Sequence, residues 1–111
     1  MFNYLFNIFF LLVFSVYVYS LEEEISFVNE NANISFAGTL TLPESSNAPF
    51  PAIVLIAGSG KTDRNTGEPF KLLAKRFSKL GIAVLRYDKR GTGDSNGDYL
   101  SATTKDLADD V

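Results

Sequence analysis

The stretch Pro51-Ala-Ile-Val-Leu-Ile-Ala-Gly-Ser-Gly-Lys-Thr-Asp-Arg64 decides the reading of this chain, because a wholly apolar run passes directly into a glycine turn. Residues 52 to 57 are aliphatic or β-branched with no polar alternation. That pattern predicts a strand covered on both faces, as in a parallel sheet flanked by helices. Gly58, Ser59 and Gly60 follow at the strand's carboxyl end. In α/β proteins this is where backbone N–H groups can turn outward toward an anion or a developing oxyanion.

Gly60-Lys61-Thr62 also matches the end of the phosphate-binding motif G-x-x-x-x-G-K-[ST]. Its first glycine would have to be Leu55, inside the apolar run. The segment Asp63-Arg-Asn-Thr-Gly-Glu-Pro69 places a glycine and a proline where the nucleotide-binding helix must start. G-x-G-x-x-G fails as well, since Asp63 stands at the third glycine. A nucleotide-binding protein acting through Gly58–Thr62 therefore matches only half of its motif.

Downstream, Phe70, Leu73, Ala74, Phe77 and Leu80 fall at helical spacing, with Lys71, Lys75, Arg76 and Lys79 on the opposite side. Pro69 suits the first helical position and Gly81 the residue after the last. A second apolar run begins at Ile82 and ends in Tyr87-Asp-Lys-Arg-Gly-Thr-Gly-Asp-Ser95. Strand, helix and strand predict a parallel βαβ unit. Thr103-Thr-Lys-Asp106 has the form of a capping box, and Leu107 and Val111 begin another amphipathic helix.

The G-S-G-x-x-D-R turn at 58–64, followed by a helix and then Y-D-x-R-G-x-G-x-S at 87–95, resembles the N-terminal part of α/β-hydrolases, in their esterase and serine-aminopeptidase-like branch. The resemblance covers about residues 25 to 111. It implies an antiparallel edge hairpin followed by a parallel βαβ unit, ending before the nucleophile strand. It also implies that the N–H groups of Ser59 and Gly60 form an oxyanion hole. The expected reaction is hydrolysis of a small-molecule carboxylic ester, thioester or small amide through an acyl-enzyme, without metal or cofactor. Asp63 and Arg64 are expected to form a local ion pair, and Asp88, Arg90, Gly91, Gly93 and Ser95 a second structural loop. Neither group has the partners of a general acid or base.

Gly93-Asp-Ser-Asn-Gly97 spells G-x-S-x-G, the nucleophile elbow. An elbow serine sits on a sharp turn between a buried strand and a helix, whereas Ser95 lies within a polar, glycine-rich run. Ser95 is thus read as structural. The chain has no histidine, so these residues cannot assemble a Ser-His-Asp triad. The expectation is an inactive fragment of a secreted serine hydrolase, with a non-catalytic exported α/β binding fragment as the alternative.

Upstream of the decisive stretch, Ile34, Phe36, Leu40 and Leu42 alternate with Ser35, Thr39 and Thr41. This predicts a strand with one apolar and one outward polar face, Gly38 marking a bulge. Ile25–Val28 supplies its partner across the Asn-rich turn at 29–33. Residues 1–20 carry no charge and are rich in Phe, Leu, Ile, Val and Tyr. They read as a signal peptide, hence a secreted or periplasmic protein, or as an uncleaved membrane anchor; residues 21–111 are the hydrolase part. The 10 Lys and Arg against 13 Asp and Glu form no basic patch, which argues against nucleic acid. Cysteine is absent, so there is no thiol nucleophile. Asn33-Ile34-Ser35 is an N-glycosylation sequon, meaningful in a eukaryotic secretory pathway.

Overall fold

The computed structural model describes residues 20–44 and 48–111, so the signal peptide or anchor read in residues 1–20 lies, but for Ser20, outside the described residues. Strand β1 (Leu21–Asn29) pairs antiparallel with β2 (Ile34–Leu42) across the expected turn. Strand β3 (Ala52–Leu55), helix α1 (Pro69–Lys79) and strand β4 (Ala83–Tyr87) form the βαβ unit, with β3 and β4 parallel. Helix α2 (Thr104–Asp109) follows. The sheet order is β1-β2-β4-β3, so β4 lies between the hairpin and the strand that precedes it in sequence.

One face of the sheet is aromatic. Phe27 stacks on Phe36 at 5.0 Å between ring centroids, and both meet Tyr87 edge-on. With Ile34 these residues form the core cluster, in which each fully buried large side chain stabilises the fold by about 1.5–3 kcal/mol. Helix α1 packs against β4, turning Ala74 and Ser78 inward, one turn apart, so that small side chains set the line of closest approach. Phe70 and Phe77 flank that line half-buried, whereas Leu73 and Leu80, expected in the packed face, are exposed.

Three further expectations for the sheet are corrected. Thr39 and Thr41 do not face outward; they are 3% and 0% exposed. Both faces of β2 are covered, and Thr39 finds partners there: its hydroxyl donates to Glu24 at 2.7 Å and accepts from Arg64 Nη1 at 2.9 Å. Gly38 is not a bulge, since the β1–β2 register runs unbroken through Ile25 and Gly38. It marks a close approach, because a Cβ there would sit 2.8 Å from the Arg86 carbonyl oxygen. Finally, β3 is not covered on both faces. Its pairing with β4 ends at Leu55, Val54 and Ile56 are 44% and 57% exposed, and β3 is the outermost strand among the described residues.

Candidate functional site

Strands β3 and β4 run parallel, so the loops leaving their carboxyl ends lie side by side. Between them opens a cavity of about 450 Å³, lined by residues that include Ala57, Ser59, Lys89, Tyr99 and Leu107. Gly58 and Ser59 lie in one wall, and side chains from the loop after β4 grip the Gly58–Gly60 turn. Lys89 Nζ donates to the Gly58 carbonyl oxygen and, at 3.4 Å, to that of Gly60. Tyr99 Oη accepts the Gly60 N–H at 2.8 Å, and its ring lies 5.8 Å from Lys89 Nζ. Of the two N–H groups expected as oxyanion donors, that of Gly60 is therefore engaged by Tyr99. That of Ser59 meets no acceptor among the described residues.

A salt-bridge network ties the two loops together behind this turn. Arg64 donates to both oxygens of Asp88, from Nε at 3.2 Å and from Nη2 at 2.8 Å, and its backbone N–H reaches Asp88 Oδ1 at 2.7 Å. The same guanidinium pairs with Glu24 on β1 and, at 3.3 Å, with Asp94. The expected Asp63–Arg64 ion pair is not formed. Asp63 Oδ1 instead accepts the N–H groups of Asn65 and Thr66 at 2.9 and 3.1 Å, closing a local turn that turns Arg64 toward the neighbouring loop. Burial by itself would push the Asp88 carboxyl up. The Arg64 guanidinium, with the Asp94 and Arg64 backbone N–H groups, outweighs it and holds the group below its ordinary 3.8. The Asp88 partner in turn keeps Arg64 firmly protonated.

The loop after β4 is built as a scaffold. Ser95 is buried; its Oγ donates to the Asp88 carbonyl oxygen at 2.6 Å and accepts the Ala37 N–H at 3.0 Å. Neither bond involves a base, so the G-x-S-x-G lettering around Ser95 does not form an elbow. Gly91 N–H donates to the Asn96 carbonyl oxygen at 2.8 Å, and Gly93 packs on the Asp88 carboxylate. Arg90 reaches forward to Asp110 at the end of α2, with Nε at 2.7 Å and Nη2 at 2.6 Å from its two oxygens. The capping box at the start of α2 is present as expected, with Thr103 N–H donating to Asp106 Oδ2 at 2.7 Å. Asn33 is exposed in the β1–β2 turn. The Lys61-Thr62 segment runs into a loop, and no helix starts between Thr62 and Pro69, so a phosphate-cradling helix start is not formed.

Lys89, Tyr99 and Asp110 were not singled out by sequence reasoning. Lys89 occupies the unspecified position of Y-D-x-R-G, and Tyr99 is a lone aromatic in the polar run 88–99. That isolation was the available signal, because an aromatic side chain amid turn residues needs a packing or hydrogen-bonding reason.

An antiparallel hairpin joined to a parallel βαβ unit, with a glycine turn and a cavity at the strands' carboxyl ends, defines the N-terminal part of an α/β-hydrolase sheet. Solved structures agree. The α/β hydrolase GrgF from Penicillium sp. sh18 superposes with a TM-score of 0.52 at 26% identity, over 71% of this chain and 25% of that one. The hypothetical protein PA2218 from Pseudomonas aeruginosa superposes with a TM-score of 0.64 at 26% identity, over 79% of this chain and 26% of that one. The family model described as X-Pro dipeptidyl-peptidase (S15 family) matches residues 34–111, and the chain belongs to that family. Among curated proteins it is similar to Esterase EstD of Thermotoga maritima, 46% identical over 57 residues. That match covers 48% of this chain and 14% of the relative's length.

Proposed function

We propose that residues 21–111 are the front of an exported serine hydrolase that cleaves carboxylic esters, thioesters or small amides through an acyl-enzyme. The observation that carries this reading is the Ser59 N–H. Ser59 lines the cavity beyond the carboxyl end of β3, and its N–H meets no acceptor among the described residues, as an oxyanion donor must before substrate arrives. The family match and the likeness to Esterase EstD support hydrolysis; the family description speaks of a peptidase and the relative's name of an esterase. Both reactions pass through a tetrahedral oxyanion that this donor would stabilise.

The test is turnover of p-nitrophenyl butyrate and of Ala-Pro-p-nitroanilide by the protein as its gene encodes it. Turnover of the ester supports an esterase, and turnover of the anilide alone moves the reading to peptide bonds. The 111 residues contain no histidine, so the purified 111-residue chain is expected to turn over neither. Sustained turnover by that chain would contradict this. The second reading is a non-catalytic exported α/β binding module, and it gains ground if the full gene product is also inert. For residues 1–20 we propose a cleaved signal peptide, which N-terminal sequencing of the exported protein tests; a mature chain starting at Met1 would make them an anchor.

A further inference from the structure

We propose that Lys89 is a positioning residue for this site: by holding the Gly58 carbonyl it aims the Ser59 N–H and strengthens it as a donor. The proposal deepens the reading of Ser59 as oxyanion donor and rests on it.

A trans peptide unit is planar, and its C=O and N–H point in opposite directions. The Gly58 carbonyl and the Ser59 N–H belong to one such unit, so fixing the oxygen fixes the donor. Lys89 Nζ binds that oxygen. The next unit, Ser59–Gly60, is fixed from its other end, where the Gly60 N–H meets Tyr99 Oη at 2.8 Å. The unit after it presents the Gly60 carbonyl 3.4 Å from the same ammonium. Three consecutive peptide units are thus tethered to two side chains, and the Ser59 N–H is left directed away from Lys89.

Side-chain packing at Gly58 adds little to this order, since a Cβ placed there would meet nothing within 4 Å. Nor is Lys89 the economical choice for a filler. It is 6% exposed and makes no ion pair among the described residues, and a buried cation without a counter-ion is costly. What the charge can do is polarise the amide it binds. A cation at the carbonyl oxygen draws electron density from the nitrogen and makes the N–H a stronger donor, an effect amplified where the local dielectric is low.

The experiment compares wild type, Lys89→Met and Lys89→Gln, the last keeping a neutral donor for the carbonyl. On the protein as its gene encodes it, residual dipolar couplings report the orientation of the Ser59 N–H, and kcat and KM are measured for p-nitrophenyl butyrate. Lys89→Met is expected to reorient the Ser59 N–H and lower kcat about 10- to 100-fold with KM within about twofold, less than or equal to losing a whole donor. Lys89→Gln is expected to keep the orientation and lower kcat by a smaller factor, and it decides the matter if the Met variant does not fold. An unchanged Ser59 coupling in a folded Lys89→Met chain overturns the proposal. So does a kcat loss in either variant that only tracks the loss of folded protein. A wild type without ester turnover removes the esterase reading instead, and the couplings still decide whether Lys89 orients the turn.

Discussion

Arg64 and Asp88 are joined three times over, through Nε, through Nη2 and through the Arg64 backbone N–H, so a single carboxylate fixes both the side chain and the main chain of the loop after β3. The Asp88 side chain is 3% exposed and also accepts the Asp94 N–H at 3.0 Å. Removing Asp88 leaves Arg64 only the exposed carboxylates of Glu24 and Asp94, and breaking a buried pair costs up to about 3–5 kcal/mol. Asp88→Ala is therefore expected to lower stability by about that amount, read as a shift in the urea unfolding midpoint. A loss under about 1 kcal/mol would mean that solvent replaces Asp88 and that the pair is not structural.

Acid should reach the fold through the same carboxylate. The folded-state pKa of Asp88 is depressed, so its stabilising contribution is complete above the unfolded value of about 3.9 and is lost as pH falls through the folded value. Stability owed to Asp88 should be flat from about pH 8 to pH 5 and decline below about pH 4. In Asp88→Asn the acid limb of a stability–pH curve should be shallower than in wild type. Identical limbs would assign the acid response to other groups.

Gly93 has φ +49, and a Cβ built there would sit 2.4 Å from Asp88 Oδ2. Gly93→Ala should destabilise by about 1–3 kcal/mol through backbone strain, with the clash added. Part of that cost should disappear in an Asp88→Ala background, because the clashing atom is gone; a double-mutant cycle measures the coupling. Strict additivity would show that the strain is purely local to the backbone.

Ser95→Ala removes one hydroxyl that bridges the Asp88 carbonyl and the Ala37 N–H. The expected loss is about 1–3 kcal/mol of stability, since a buried group is left unpaired, with activity per folded molecule unchanged. Mass spectrometry after fluorophosphonate treatment of the protein as its gene encodes it should find Ser95 unlabelled. A Ser95 adduct would restore it as a nucleophile.

Much of the fold could be read from local pattern. Capping at Thr103, Pro69 at the helix start and the apolar runs entering two glycine-rich loops are short-range signals, and each lies in its expected element. What escaped was set by tertiary partners. The alternation in β2 told which residues share a face but not that Arg64 and Glu24 would make the Thr39 face an interior one. Asp63 next to Arg64 suggested an ion pair by adjacency, whereas the preferred partner, Asp88, lies 24 residues further on. In the candidate site the glycine turn was legible because its backbone chemistry needs glycine and a strand end. Lys89 and Tyr99 were not, since nothing local in their neighbourhoods points back to residues 58–60.

The grip of Lys89 and Tyr99 on the Gly58–Gly60 turn also sets the smallest piece that can be transplanted between relatives. A chimera that exchanges only the first loop would import the turn without the two side chains that bind its backbone. The natural unit of exchange runs from β3 through Tyr99, and a recombination boundary drawn between α1 and β4 would part the turn from the residues that hold it.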